Sequence, residues 1–259
     1  MQVKDVMQTD ILMVKPSDLA LDIGNHMELK RIAAALVLEG DEFRGILSKE
    51  TFIANLEKVC ERPMESLLVS DLMEPDVDCI GAEDDLQRAV ALLLTQKGIV
   101  DRLPVLDRGK VVGLVSKGDM TKVFAAELKG RFKVADLMHY NPSTVFDYTP
   151  LGEVIEEMKR TCAKRILVLS GESLKGIIST QDITIALFRK KKTCKEVDPT
   201  SSLKAEDIMT HNPVTISRKA DAAAAAKLMV ERRFGGIPVV NHCLDGMINR
   251  TDLLKVLQV

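Results

Sequence analysis

Nothing constrains this chain more than its fourfold internal repeat. An acidic-apolar-Met signature recurs as Asp5-Val6-Met7, Asp71-Leu72-Met73, Asp136-Leu137-Met138 and Asp207-Ile208-Met209. A second signature follows each Met by about forty residues: a glycine, two apolar residues and a small polar residue. It reads Gly45-Ile46-Leu47-Ser48, Gly113-Leu114-Val115-Ser116, Gly176-Ile177-Ile178-Ser179 and Gly246-Met247-Ile248-Asn249. Two signatures holding register four times define a period of about 65 residues, which suits a small domain better than a solenoid unit.

Each copy carries the same order of elements. A short apolar strand comes first, at residues 11–14, 77–80, 143–146 and 213–216. A helix follows, with apolar residues at helical spacing: Leu86, Val90, Leu93 and Leu94 in the second copy, Leu151, Val154, Ile155 and Met158 in the third. The third copy's helix is expected to open with Thr149 as cap and Pro150 in its first turn. Two strands come next, 103–106 with 111–115 in copy two and 166–169 with 174–178 in copy three. The turn Asp107-Arg108-Gly109 joins the first of these pairs as a hairpin. A final helix, 117–128 or 181–190, closes the copy. The fold class is therefore α/β, four tandem β-α-β-β-α repeats at residues 1–66, 67–130, 131–196 and 203–259. One such unit cannot bury both sheet faces, so neighbours should pair into modules 1–130 and 131–259, related by pseudo-two-fold symmetry.

Composition excludes several classes. Of 259 residues, 46% are apolar and 29% charged, which reads as globular, and a formal net charge of −2 gives no general polyanion-binding surface. No apolar run reaches the roughly 18 residues a membrane span needs, and the first residues lack a signal-peptide core. Cys60, Cys79, Cys162, Cys194 and Cys243 are scattered and never spaced as CxxC, so a reducing cytoplasm is expected, with no disulfide framework or zinc site. Aromatics are 3% and Trp is absent, so a bound base would pack on aliphatic side chains.

The motif Gly-apolar-apolar-[Ser/Thr]-x-x-Asp, ending a strand and opening a helix, resembles that of the cystathionine-β-synthase (CBS) domain over nearly the whole chain. Two such domains form a Bateman module, and four resemble the γ subunit of AMP-activated protein kinase. The resemblance implies a regulatory ligand, AMP, ADP, ATP or a related adenosyl compound, bound between paired copies, with no other cofactor required. It implies that the motif Asp holds the ribose hydroxyls, the Ser or its replacement assists, and basic residues near the second strand meet phosphate. Copies two and three carry complete motifs, Ser116-Lys117-Gly118-Asp119 and Ser179-Thr180-Gln181-Asp182. Copy four reads Asn249-Arg250-Thr251-Asp252, and copy one, Ser48-Lys49-Glu50-Thr51, lacks the Asp.

On this reading the ribose residues are Asp119, Asp182, Asp252, Ser116, Ser179 and Asn249. The phosphate residues are Arg102, Lys117, Lys164, Arg165 and Arg250. Thr144 and Thr215, in first strands, are weaker candidates for base or phosphate. The physics is coherent: free helix N–H groups favour an anion, and a carboxylate accepts two bonds from a diol. The competing reading is local, because Ser-x-x-Asp is also a capping box and Asn a good N-cap. Arg and Lys at these places are also ordinary surface charges.

His26, His139, His211 and His242 have no ligand spacing and read as surface or loop residues, so no metal site is expected. Nucleophile elbows and Walker loops are absent, so the chain reads as non-catalytic. The expected function is a nucleotide sensor acting on an effector protein in trans, with a homodimer left open and no membrane. The alternatives are a ligand-free dimerisation scaffold, or a transcription regulator using Arg189-Lys190-Lys191-Lys192 and Lys195; with no helix-turn-helix pattern, nucleic acid is disfavoured.

Overall fold

A computed structural model of the chain describes residues 1–55, 58, 62–96, 100–193 and 202–258. They divide into two compact units: Met1–Met120 with Leu254–Val259, and Thr121–Leu253. Cys60, Cys194, Lys195 and most of the polar connection 190–202 fall outside the described residues, as do the side chains of Arg189, Lys190, Lys191 and Lys192.

The β-α-β-β-α order holds in copies one to three, and copy four keeps it from its first helix onward. Copy one has β1 (Leu12–Val14), the helix Ala20–Lys30, β2 (Ala34–Glu39), β3 (Glu42–Ser48) and the helix Lys49–Ala54. Copy two has β4 (Ile80–Gly81), Leu86–Thr95, β5 (Arg102–Asp107), β6 (Lys110–Ser116) and Lys117–Glu127. Copy three has β7 (Thr144–Phe146), Leu151–Arg160, β8 (Arg165–Ser170), β9 (Ser173–Ser179) and Thr180–Thr193. Copy four, entered through β10 (Thr210–His211), has Ala222–Glu231, β11 (Gly236–Val240), β12 (Leu244–Asn249) and Arg250–Leu254. First strands pair parallel with second strands and second antiparallel with third.

Three local expectations change. The first strand of copy two, expected at 77–80, is the two residues Ile80–Gly81. The first strand of copy four shrinks to a single bridge, Ile216 with Val239, where Pro213 can donate nothing to a ladder. Thr149 does not cap its helix. The N-cap position is Pro150, and the Thr149 hydroxyl instead accepts from the Phe146 N–H at 3.1 Å. The turn after β5 forms as the sequence suggests, with Arg108 and Gly109 both at positive φ, 49° and 80°.

Copies pair within each unit by exchanging their entry segments. The short turn carrying each Asp-apolar-Met signature leaves its own copy and lies against its partner. The N–H groups of Val69 and Ser70 donate to Asp18 and Pro16 of copy one; those of Val3 and Lys4 donate to Asp84 and Ala82 of copy two. Copies three and four repeat this, Val134 and Ala135 to Ala220 and Arg218, Ala205 and Glu206 to Thr149 and Asp147. The residue directly after each signature Met bridges the partner's third strand: Gln8 with Leu114, Glu74 with Ile46, His139 with Met247, and Thr210 with Ile177. The signature Asp caps its turn, Asp136 accepting from the Lys133 N–H at 2.8 Å. Asp136→Ala should therefore cost about 1 kcal/mol, read as a lower urea midpoint at unchanged slope.

The signature glycines belong to this contact. A Cβ on Gly113 or Gly176 would strike the Sδ of Met7 or Met209, and one on Gly45 or Gly246 would strike the carbonyl oxygen of Glu74 or His139. Each also directly follows the extra residue of a bulge in its own strand. The two sequence signatures are thus two faces of one interlock. In the first unit, Leu36, Ile46 and Ala34 of copy one pack with Leu114 and Val100 of copy two, joining the sheets. Behind β5, Val3 from copy one sits among Val90, Leu93, Leu103 and Val105.

Candidate functional site

All four motifs close on their own helices. In copy two, Asp119 Oδ2 accepts from the Ser116 N–H at 3.0 Å and the Ser116 hydroxyl at 2.7 Å. In copy three, Asp182 Oδ2 accepts the same pair from Ser179 at 2.8 and 2.6 Å. In copy four, Asp252 Oδ2 accepts from the Asn249 N–H at 2.8 Å while Asn249 Oδ1 accepts from the Asp252 N–H at 3.0 Å. In copy one, Thr51 Oγ1 accepts from the Ser48 N–H at 3.0 Å, so a hydroxyl performs the cap where the carboxylate is missing. The capping reading therefore holds as geometry in every copy, and what separates the copies is the far side of the carboxylate.

That side meets the partner's entry segment. Gln8 Nε2 donates to both oxygens of Asp119, each at 3.0 Å, and Asp119 is 2% exposed. His139 Nδ1 stands 3.1 Å from Asp252 Oδ2, and Asp252 is 4% exposed. Asp182 is half-buried; among the described residues its carboxylate takes hydrogen bonds from Ser179 alone. Thr210, at the register of Gln8, sends it none. His139, with a side chain 39% exposed, stays at the surface like His26, His211 and His242, but it alone of the four faces a motif carboxylate.

The cations also differ by copy. The residue after each motif Ser or Asn donates its N–H to the residue before the second strand: Lys117 to Asp101, Thr180 to Lys164, Arg250 to Gly235. This brings Lys164 beside the copy-three motif, whereas copy two has the carboxylate of Asp101 there. Arg102 is buried; its Nη1 donates to the carbonyl of Ala33 at 3.1 Å and its Nη2 lies 3.2 Å from Asp101. It ties copy two to copy one. Arg165 makes the corresponding reach in the second unit, its guanidinium filling the space that Gly235 leaves by lacking a side chain. Lys117 and Arg250 are half-buried at their helix starts.

Thr144 and Thr215 are exposed, Thr144 on β7 beside Leu167. Copy two has Cys79 at this register. Burial, and then the Asp78 carboxylate, push its thiol above the ordinary value, so it stays neutral at pH 7. A shallow depression of about 620 Å³ adjoins Thr144, but Glu153, Glu156 and Glu157 line it and Arg160 is tied to Glu157 at 2.7 Å. It repels phosphate. Among the described residues no group of His, Cys, Asp and Glu could hold a metal ion, and no helix is long and apolar enough to cross a membrane.

A family model described as the CBS domain matches residues 3–58, 69–126, 134–189 and 205–259. The chain belongs to the CBS-domain family. A CBS domain-containing protein of Dictyostelium discoideum is 32% identical over 130 residues, 48% of this chain and 90% of its own length. Protein MJ1225 of Methanocaldococcus jannaschii is 26% identical over 199 residues, covering 72% of this chain and 69% of that one. Its crystal structure, described as a candidate archaeal homologue of γ-AMPK, matches 99% of this chain and 100% of that chain with a TM-score of 0.88 at 20% identity. A Pyrococcus horikoshii structure covers the same shares at a TM-score of 0.69 and 21% identity. These likenesses establish the fold: four CBS repeats, paired within each unit.

Gln8, Thr210 and Asp101 do not stand out in the sequence, and His139 does so only as a surface or loop histidine. Gln8, His139 and Thr210 share one signal, the variable residue directly after each signature Met, and Asp101 precedes an Arg that the motif comparison had already reached.

Proposed function

We infer that this CBS protein is a regulatory binder of adenine nucleotides. The ligand sits at the motif helices, between a motif and the partner copy's entry segment. One observation carries the reading: at the copy-three motif, the Asp182 carboxylate keeps acceptor capacity beyond its cap, and the backbone bond from Thr180 brings Lys164 alongside. A ribose diol needs the first and a phosphate the second. In this reading Asp182 and Ser179 hold the ribose, Lys164 and the first N–H groups of the helix Thr180–Thr193 face phosphate, and Arg165, whose guanidinium packs on Gly235, serves the copy-four side. Thr144, beside the carboxylate-lined depression, borders the base and not the phosphate. Asp119 with Ser116 and Lys117, and Asp252 with Asn249, Arg250 and Thr215, are the corresponding positions in copies two and four.

The relative described as a candidate archaeal homologue of γ-AMPK supports the ligand class and a signalling role. A ligand bridging motif and entry segment favours one arrangement of the pair over another, and that differential affinity is what an effector in trans can read. The free cysteines Cys79, Cys162 and Cys243 suit a cytoplasmic setting.

Titration calorimetry with AMP, ADP and ATP on the full chain tests this. The expected result is saturable binding of at least one of them; no heat and no thermal shift with any would leave the scaffold alternative standing. Lys164→Ala should weaken ATP more than adenosine, by about tenfold, and flatten the salt dependence of the ATP affinity.

A further inference from the structure

We propose that the residue directly after the signature Met is a latch that decides whether the partner copy's motif carboxylate is open to a ligand. The proposal rests on the nucleotide reading above and assigns its regulation. Four positions are equivalent by register, each crossing to the opposite copy of its unit: Gln8 facing copy two, Glu74 facing copy one, His139 facing copy four and Thr210 facing copy three.

Their chemistry divides the sites. Gln8 is long and carries two amide hydrogens, and its single nitrogen spans both oxygens of Asp119. With the Ser116 bonds added, that carboxylate takes four hydrogen bonds from three donor atoms, and at 2% exposure no diol reaches it while the Gln8 amide stays in place. His139 occupies Asp252 on the same side. Thr210 has a short side chain and is exposed, and no hydrogen bond joins it to Asp182. The one half-buried motif carboxylate thus stands opposite the one latch position too small to cover it, while the two covered carboxylates are nearly sealed. In copy one the latch position is Glu74, and the motif residue is Thr51 instead of a carboxylate; two anions are never placed at that register.

Copy three is therefore the standing nucleotide site, and copy two is a closed one that opens only when Gln8 leaves Asp119. The interlock makes the switch mutual, because Gln8 also bridges Leu114 through its backbone, so a ligand displacing the amide pulls on the contact that holds the two copies together.

Calorimetry with AMP on the full chain tests the latch. Thr210→Gln should close copy three and weaken AMP at least tenfold, with the unliganded melting temperature held, while Thr210→Ser binds as wild type. Gln8→Ala should raise the number of AMP molecules bound per chain by one. AMP affinity unchanged in Thr210→Gln, or an unchanged stoichiometry in Gln8→Ala, overturns the latch while leaving the nucleotide reading in place. No binding of AMP, ADP or ATP by wild type, Thr210→Ser and Gln8→Ala alike rejects the nucleotide reading itself, and the latch with it.

Discussion

Asp182→Thr should abolish most nucleotide binding while leaving the fold as it was. The choice of Thr comes from the chain's own first copy. There Thr51 takes the place of the motif carboxylate, is fully buried, and still accepts from the Ser48 N–H at 3.0 Å. A Thr at 182 can therefore keep the cap on Ser179 while removing the negative charge and the second acceptor. Asp182→Ala removes both, and its loss of cap, about 0.5–2 kcal/mol of stability, would confuse the measurement. The binding effect is larger. A charged acceptor facing a diol contributes about 1.5–3 kcal/mol, so affinity should fall by about 10- to 150-fold. Thr51→Ala, at the motif with no carboxylate, should leave affinity unchanged. Calorimetric titration of the three chains decides the matter. Equal affinities in Asp182→Thr and wild type would show that the carboxylate does nothing but close its helix.

The repeat made the fold legible because four copies average away the ambiguity of any one. The weak first strand of copy four, for example, would not have been assigned alone; Pro213 and the exposed Val214 blur it. The sequence could not say which copy each signature touches. Met7 and Gly113 are conspicuous in their own copies, but spacing measures distance along one copy, and their contact runs between two. For the same reason Arg102 could be seen as a cation beside a strand, and not as a buried tie to Ala33. The capping geometry of Ser116 with Asp119 was readable from the spacing. Its burial under Gln8 was not, since that depends on a residue 111 positions away.

The interlock itself predicts the largest loss of stability. Gly246 lies under the carbonyl oxygen of His139, and a Cβ there would overlap that atom. Neither chain can yield cheaply, because His139 and Met247 exchange both backbone hydrogen bonds at 3.0 Å beside it. Gly246→Ala must stretch or break those two bonds, or displace the entry turn that Val134 and Ala135 anchor. Overpacking of about 1–3 kcal/mol, with bonds worth about 1 kcal/mol each, sets the expected cost at about 2–4 kcal/mol. Gly113→Ala presses on the Met7 thioether instead, a flexible side chain that can turn aside, so it should cost about half as much. Gly171→Ala is the control for backbone conformation alone: its φ is 58° and nothing lies within 4 Å of the added Cβ, which sets its cost near 1 kcal/mol. Urea denaturation followed by far-ultraviolet circular dichroism should rank the three as Gly246, Gly113, Gly171, from most to least destabilised. If Gly246→Ala proves no worse than Gly171→Ala, the signature glycine is there for its own strand, and the exchange of entry segments is not what holds the copies together.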